Sequence, residues 1–327
     1  MEPQLPPGVL NEVCRAFRLG AARSVTYLRE GRVNDNFLVH SDVGSYVLRR
    51  SHPGRTVEAV AFEHALIGYL SRRGFPTPPL RTMIGGASFL ALDDELYRVT
   101  AFVPGERCRA GEDLRACART LALYHRLVAG YGLPPRPGFV PIRDELAAGR
   151  SLLPPASSSL PGWIPALQAV LTATCARLTE AEPPPTVVAH ASCRRESFVL
   201  RDGHVVAMLD YDNAHVDART LDLAIALLSF AVVRPDKTVL DLDRASRFLA
   251  AYADVTPLVP AERAIIVWYM RARILKRALA RYRDYRLVPR PSRATKLQLA
   301  TRLLRWLDEH EEAIVSATSG NAEHVPA

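Results

Sequence analysis

The sequence predicts an α+β protein with a small N-terminal part rich in strands and a larger C-terminal part made of helices. Two observations carry this prediction. Before residue 103, short runs with strand-like alternation surround one amphipathic helix, and after Pro104-Gly105 apolar residues recur mainly at helical spacing. We therefore expect an N-terminal lobe over 1–103, a helical lobe over 104–317 and a disordered tail over 318–327.

The N-terminal part begins with a short helix over 9–19 and contains one long helix over 56–73, which ends before Gly74. Strand-like alternation marks five segments: 24–31, 35–41, 44–51, 88–92 and 95–103. This order predicts a five-stranded sheet, expected to be mixed, beside one main helix.

The C-terminal part is predicted to consist of helices around one short hairpin. The Pro- and Ser-rich stretch 151–162 is predicted to be a loop, and the hairpin falls within 190–212. Six segments have helical periodicity: 113–129, 163–181, 219–232, 240–253, 260–285 and 293–317.

Composition indicates a globular protein with a substantial core, because 48% of the 327 residues are hydrophobic and 23% are charged. There is no run of 18 apolar residues and no basic, then apolar, N-terminal leader, so neither a membrane partner nor secretion is expected. The five cysteines are scattered without a Cys-x-x-Cys pair, which favours a reducing, cytoplasmic location. The formal charge of +8 suits anionic partners.

The most informative stretch is HASCRRESFVLRDGHVVAMLDYD at 190–212. Its spacing matches a His-x-Asp-x-x-x-x-Asn loop followed by a hairpin that ends in a metal-binding Asp. On this stretch and on GRVNDNFLV, YVLRR, Glu63 and TAFVPGE, the chain resembles the aminoglycoside phosphotransferase, choline kinase and homoserine kinase-like superfamily over roughly 20–285. The resemblance implies a bilobal protein-kinase-like fold that binds ATP, or another nucleotide, and Mg²⁺ in the cleft between its lobes.

In the N-terminal lobe the resemblance implies a set of nucleotide-binding residues. A turn would cover the phosphates, a strand cation would hold them, a helix glutamate would fix that cation, and the linker would line the adenine pocket. In that order these residues are Gly31, Asn34 and Asn36, then Arg49, then Glu63, then Phe102 and Val103.

In the C-terminal lobe the resemblance implies a transfer site in which two positions have changed. His190 matches the loop histidine, which braces the loop, and Asp222 matches a buried bracing aspartate. Ser192 stands at the position of the catalytic base, and Ser197 stands at the position of the metal-binding Asn. The implied Mg²⁺ ligands are Asp210, Ser197 and Asp212, and the implied catalytic positions are Ser192, His190 and Ser197.

Three functions remain open, and whether the chain is an enzyme stays uncertain at this stage. The double change predicts first a pseudokinase that binds ATP and Mg²⁺ in the cleft and acts through a protein partner or as a scaffold. The alternative is an active phosphotransferase whose acceptor is an alcohol group of a small molecule or of a peptide Ser/Thr. The third is a basic polyanion-binding protein, although nucleic acid is an improbable partner because interleaved aromatics are lacking.

A basic stretch on the helix predicted over 260–285 would suit an acidic or phosphorylated acceptor or a peptide, although a solvated face is the favoured explanation. It comprises Arg271, Arg273, Lys276, Arg277, Arg281 and Arg283.

Overall fold

The protein is represented by a computed structural model that describes residues 3–29, 33–108, 113–132, 134–154, 161–233 and 237–318. Two compact units are formed. One comprises Met1–Glu106, Arg136–Gly138 and Val199–Leu209, and the other comprises Arg107–Pro135, Phe139–Phe198 and Asp210–Ala327. Gly31, residues 155–160 of the predicted loop at 151–162, and residues 319–327 of the predicted disordered tail lie outside the described residues.

The strands of the described residues are β1 (Ala22–Leu28), β2 (Asp35–Ser41), β3 (Ser45–Arg50), β4 (Leu90–Leu92), β5 (Glu95–Ala101), β6 (Glu106–Arg107), β7 (Thr186–Ala189), β8 (Phe198–Arg201), β9 (His204–Met208) and β10 (His215–Ala218). The helices are α1 (Pro7–Ala16), α2 (Val57–Arg72), α3 (Leu114–Val128), α4 (Ile142–Gly149), α5 (Trp163–Glu180), α6 (Arg219–Phe230), α7 (Leu242–Ala253), α8 (Pro260–Leu287), α9 (Pro291–Glu309) and α10 (Glu311–Thr318).

The first unit is built on a five-stranded sheet in the order β1-β2-β3-β5-β4, and the five strands are those that the sequence predicts. Where a mixed sheet was expected, the described pairings are all antiparallel. Short connections join β2 to β3 and β4 to β5, and such connections link antiparallel neighbours. Alternating residues such as Phe37, Leu48 and Val99 are buried, and α1 packs Val13 and Phe17 into the same core.

Helix α2 starts where its sequence provides a cap. The Thr56 hydroxyl accepts a hydrogen bond from the Ala59 N–H at 3.2 Å, which satisfies one of the N-terminal donors that a helix leaves unpaired. The helix ends before Arg73, and Gly74 follows with a φ of +71°. The helix therefore places Glu63 on its buried face, where the residue is only 6% exposed.

The hairpin predicted within 190–212 is formed by β8 and β9, which join β6 in a three-stranded sheet. Asp202 and Gly203 both have positive φ, +51° and +74°, as a tight hairpin turn requires. Gly105 lies so close to this hairpin that an added Cβ would come within 2.6 Å of the Leu200 carbonyl oxygen. Only glycine therefore fits at this position without a shift of the backbone.

The second unit is helical, and it departs from prediction in two places. Helix α4 falls within a stretch for which no helix was predicted. The single helix predicted over 293–317 is two helices, α9 and α10, because the chain turns at His310. The turn brings Glu311 to α8, where it accepts hydrogen bonds from Trp268 Nε1 at 2.7 Å and from Arg271 at 2.8 Å.

A search of the described helices for one with the length and hydropathy of a membrane span finds none.

Candidate functional site

In the first unit, three of the predicted nucleotide-binding residues are brought together. Asn36 on β2 lies opposite Arg49 on β3, and its Oδ1 accepts a hydrogen bond from Arg49 Nε at 2.8 Å. Nη1 of Arg49 is 4.0 Å from Oε1 of Glu63 on α2. The predicted pairing of strand arginine and helix glutamate is therefore present as a loose ion pair, oriented by Asn36.

Two further arginines, which the sequence analysis missed, also reach Glu63. Arg98 lies opposite Arg49 in the β3–β5 register, and its Nη1 donates a short hydrogen bond to Glu63 Oε1. Arg136 is almost wholly buried, and its Nη2 lies 3.7 Å from Glu63 Oε2. Three guanidinium groups thus share one carboxylate, and guanidinium donors are well suited to bind phosphate oxygens.

The remaining N-terminal candidates have backbone roles. Asn34 is buried, and its Oδ1 accepts a hydrogen bond from the His52 N–H at 3.0 Å, which ties the turn before β2 to the end of β3. Phe102 continues the β5 pairing through its N–H, which donates to the Ser45 carbonyl at 3.0 Å, and its side chain is exposed. The roles of Phe102 and Val103 toward adenine stay predictions, and Gly31 lies outside the described residues.

In the second unit, the loop that follows β7 is held by Asp222, at the first turn of α6. The Asp222 carboxylate accepts the backbone N–H groups of His190 and Ala191, each at 2.7 Å. It also lies 3.0 Å from Nε2 of His125, whose Nδ1 is 2.7 Å from the Tyr252 hydroxyl. Asp222 is completely buried, so the predicted bracing role fits its contacts.

The electrostatics of this network favour an ionised carboxylate. Burial raises the pKa of Asp222, but the hydrogen bond and charge of His125, together with His190, outweigh it, so the pKa lies below its ordinary value. The Cys193 thiol donates to the Asp222 carbonyl at 3.0 Å and is fully buried. Burial and the nearby Asp222 raise the pKa of Cys193 well above its usual range, which makes it a packed thiol and not a nucleophile.

Ser192 and Ser197, which stand at the predicted base and amide positions, are both buried in the loop. Ser197 Oγ donates to the Ser192 carbonyl at 2.7 Å, which closes the loop on itself. The Ser192 N–H donates to Nδ1 of His190 at 3.2 Å, and the His190 ring packs against Tyr211 with centroids 4.8 Å apart. Sequence analysis missed Asn213, whose Nδ2 lies 3.5 Å from Ser192 Oγ, and its position directly after Asp212 was the available signal.

Two of the candidate metal ligands, Asp210 and Asp212, follow the end of β9, and the third, Ser197, directly precedes β8. Asp210 has left-handed backbone geometry, with φ +68° and ψ +52°, and it starts a short helical turn that contains Asp212. Among the described residues, no group of three or more His, Cys, Asp and Glu side chains is arranged to hold a metal ion. Two carboxylates and a serine hydroxyl still fit Mg²⁺, which binds through few carboxylates and keeps waters and phosphate oxygens as its other ligands.

The fold defines the class of protein. Among solved structures, an amicoumacin kinase in complex with AMP-PNP, Ca²⁺ and its ligand superposes with a TM-score of 0.73 at 18% identity, covering 92% of this chain and 93% of that one. A microcompartment-associated aminopropanol kinase gives 0.73 at 15% identity, covering 93% and 98%. The architecture is therefore that of the bilobal, protein-kinase-like phosphotransferases.

The chain belongs to the APH phosphotransferase enzyme family, whose sequence model matches residues 24–258. Among curated relatives, a homoserine kinase from Methylobacterium nodulans is 28% identical, with 88% of each chain covered. One from Methylobacterium radiotolerans is also 28% identical, with 95% of each covered. The predicted family and fold are confirmed, and the comparisons favour the active phosphotransferase over the pseudokinase, the first of the three sequence-based hypotheses.

Proposed function

We propose that this chain is an active, nucleotide-dependent phosphotransferase that moves the γ-phosphoryl group of ATP to a hydroxyl of a small molecule. The observation that carries the proposal is the fully built transfer loop. Asp222 fixes the backbone of His190 and Ala191, and Ser197 closes the loop onto Ser192, although the acid is replaced. The membership in a phosphotransferase family supports the same conclusion.

A serine at position 192 is compatible with phosphoryl transfer at a reduced rate. Phosphoryl transfer passes through a loose transition state, in which the attacking hydroxyl needs positioning more than early deprotonation. Loss of a general base typically costs about 10²–10⁴ in rate. Ser192 and Asn213 keep hydrogen-bonding groups at this point, so an acceptor hydroxyl still has neutral partners.

Each unit, taken by itself, supplies a distinct part of the proposed nucleotide chemistry. In the first unit, Arg49 and Arg98, oriented by Asn36 and Glu63, carry the positive charge that would hold phosphate oxygens. In the second unit, the proposed Mg²⁺ ligands are Asp210, Ser197 and Asp212. Bound there, Mg²⁺ would neutralise charge on the transferring phosphate oxygens.

The names of the curated relatives support an acceptor of the amino-acid-like or amino alcohol class, with L-homoserine as the first candidate. Several curated relatives at 25–29% identity are named homoserine kinases. Acceptor identity diverges readily on a shared fold. The panel of acceptors therefore also includes ethanolamine, 1-amino-2-propanol and an aminoglycoside.

The test measures ADP release from Mg-ATP with each acceptor, for the natural chain and two variants. Asp210→Asn removes the proposed metal ligand and is expected to lower kcat by at least about 10²-fold. Asp202→Asn, in the exposed turn between β8 and β9, is the matched control and should leave kcat unchanged.

A rise in melting temperature with Mg-ATP but no turnover on any acceptor would instead favour a pseudokinase. The absence of both would contradict either function.

A further inference from the structure

Two arginines beside the transfer loop stand out because their charges have no partner within the described residues. Arg194 follows Ser192 by two positions, and its Nε is buried without a hydrogen bond in the described part of the chain. Arg273, partly buried on α8, forms no ion pair or hydrogen bond with any described residue. Guanidinium groups held away from water are unfavourable unless a counter-charge is supplied.

The neighbouring basic residues differ, because each already has a protein partner. Arg271, two residues before Arg273 on α8, pairs with Asp308 at 3.0 Å and Glu311 at 2.8 Å. Lys276 lies 2.5 Å from Glu145, and Arg219 donates to Glu262 Oε1 at 2.7 Å. The positive charge of these three residues is thus matched within the protein, in contrast to that of Arg194 and Arg273.

The loop geometry fixes where Arg194 stands. Its N–H donates to the Ser192 carbonyl at 2.7 Å, and its own carbonyl accepts the Ser197 N–H at 2.9 Å. Arg273 lies on α8, which packs against α6, the helix whose Asp222 holds this loop. Burial and the nearby Arg194 guanidinium lower the pKa of Arg273, while Cys193, Glu145 and Asp222 act in the opposite direction. Arg194 and Arg273 therefore act on each other as like charges.

We propose that Arg194 and Arg273 bind an oxyanion of the acceptor, so that this enzyme phosphorylates hydroxyl compounds that carry a carboxylate or a phosphate. This inference rests on the proposed phosphotransferase function and adds the acceptor's charge. Two guanidinium groups offer paired donors in the planar arrangement that oxyanions accept. The anion would also remove the repulsion between the two arginines.

The proposed anion site would also explain why a neutral residue, Ser192, stands at the position of the catalytic base. A carboxylate two residues from Arg194 would compete with the acceptor for that guanidinium and would repel an anionic substrate. A neutral hydroxyl does neither. The site would thus lack a general base but would retain the positive charge of Arg194 and Arg273, which can bind an acidic acceptor.

The probe is a matched series on one carbon skeleton, namely glycerol, D-glycerate and sn-glycerol 3-phosphate, with L-homoserine and its amide as a second pair. Binding to the full chain is measured by calorimetry, and turnover is measured with Mg-ATP. We expect at least one anionic member to bind about tenfold or more tightly than its neutral counterpart. Preference for glycerate identifies a carboxylate acceptor, and preference for glycerol 3-phosphate identifies a phosphate acceptor.

Arg273→Gln and Arg194→Gln should each remove most of that preference, and Arg273→Lys should restore part of it. Arg286→Gln is the control, because Arg286 is exposed on the same helix and lies outside the basic stretch at 271–283. The glutamine variants should be at least as heat-stable as the natural chain, since they relieve repulsion. A merely structural arginine would instead lower the melting temperature.

Equal binding of charged and neutral members, or unchanged preference in both glutamine variants, overturns the anion site. If turnover occurs on neutral acceptors and ignores Arg273, the site fails while the phosphotransferase stands. If an anion binds through Arg273 without any turnover, the site stands while the phosphotransferase fails.

Discussion

Ala191 has a φ of +55°, a left-handed conformation that a residue with a Cβ adopts at a cost of about 1 kcal/mol or more. It persists because Asp222 accepts the Ala191 N–H at 2.7 Å and holds the backbone there. Glycine meets no such penalty. Ala191→Gly should therefore increase the free energy of unfolding by about 0.5–1 kcal/mol, the conformational relief being partly offset by the freer unfolded chain.

The measurement is urea unfolding followed by tryptophan fluorescence. All three tryptophans, Trp163, Trp268 and Trp306, lie in the second unit, so the signal reports the unit that contains Ala191. Ala189→Gly is the control, because Ala189 is buried in β7 and should lose about 0.5–1 kcal/mol. Equal losses in both variants would show that the left-handed geometry carries no strain.

Ser192→Asp tests whether the rest of the transfer site is assembled. The new carboxylate would lie near Nδ2 of Asn213, now 3.5 Å from Ser192 Oγ, and would accept a hydrogen bond from an acceptor hydroxyl. Restoring a positioned base should raise kcat by about 10²-fold or more. Steady-state kinetics with neutral and acidic acceptors measure the gain, and for acidic acceptors KM should rise because the introduced carboxylate competes for Arg194.

Ser192→Asn is the isosteric comparison without the charge, and it should give little of this gain. A kcat that stays at the level of the natural chain in the aspartate variant would mean that another part of the machinery is missing.

At the scale of elements, the buried carboxylate of α2 joins two strands and the segment at 136–138. Glu63 Oε1 accepts from Arg98 on β5, Arg49 on β3 is 4.0 Å away, and Arg136 is 3.7 Å from Oε2. Glu63→Gln removes the negative charge that Glu63 supplies to these guanidinium groups. Removal of one partner from a buried pair typically costs about 3–5 kcal/mol, and we expect a loss in that range.

Because the first unit lacks tryptophan, hydrogen exchange of the β3 and β5 amides is the suitable measurement. Asp35→Asn is the matched control. Asp35 pairs with Arg50 at 2.6 Å in a partly exposed setting, and a loss of about 1 kcal/mol or less is expected. Protection that falls equally in both variants would contradict the prediction that Glu63 contributes more to stability than Asp35.

The same cluster shows what sequence could predict about these elements. The Arg49–Glu63 pair follows from a known motif order, and the strand and helix bounds follow from alternation, periodicity and the Thr56 cap. Arg98 was out of reach, because its place beside Arg49 depends on the β3–β5 register, which joins segments far apart in the chain. The break at His310 was hidden for a similar reason, since Glu311 turns toward Trp268 and Arg271, which lie far back in the chain.

At the scale of the whole molecule, Asp222 links several elements of the second unit. Its carboxylate reaches His125 on α3 and the loop after β7, and His125 continues to Tyr252 on α7. Sequence predicted the bracing aspartate but not this histidine and tyrosine, because neither belongs to the motif that marks the loop. A change at one carboxylate is therefore expected to loosen three helices and the transfer loop together.

This network predicts a defined acid dependence of stability. The pKa of Asp222 is lowered in the folded protein by His125 and His190 despite burial, whereas an unfolded Asp has a pKa of about 3.9. The ionised form therefore stabilises the fold. Its contribution is complete above the unfolded pKa and is lost as the pH falls through the folded pKa.

Asp222→Asn should lower the free energy of unfolding by about 3–5 kcal/mol at pH 7, because an amide cannot accept all three contacts. The deficit should shrink as the pH is lowered below about 4, where the natural carboxylate is itself being protonated. Tryptophan-detected urea unfolding between pH 3 and pH 7 measures both variants. Asp254→Asn is the control, because Asp254 pairs with Arg119 at 2.7 Å in an exposed setting and should change stability by less than about 1 kcal/mol. A deficit for Asp222→Asn that stays constant across this pH range would mean that shape, and not charge, is what Asp222 contributes.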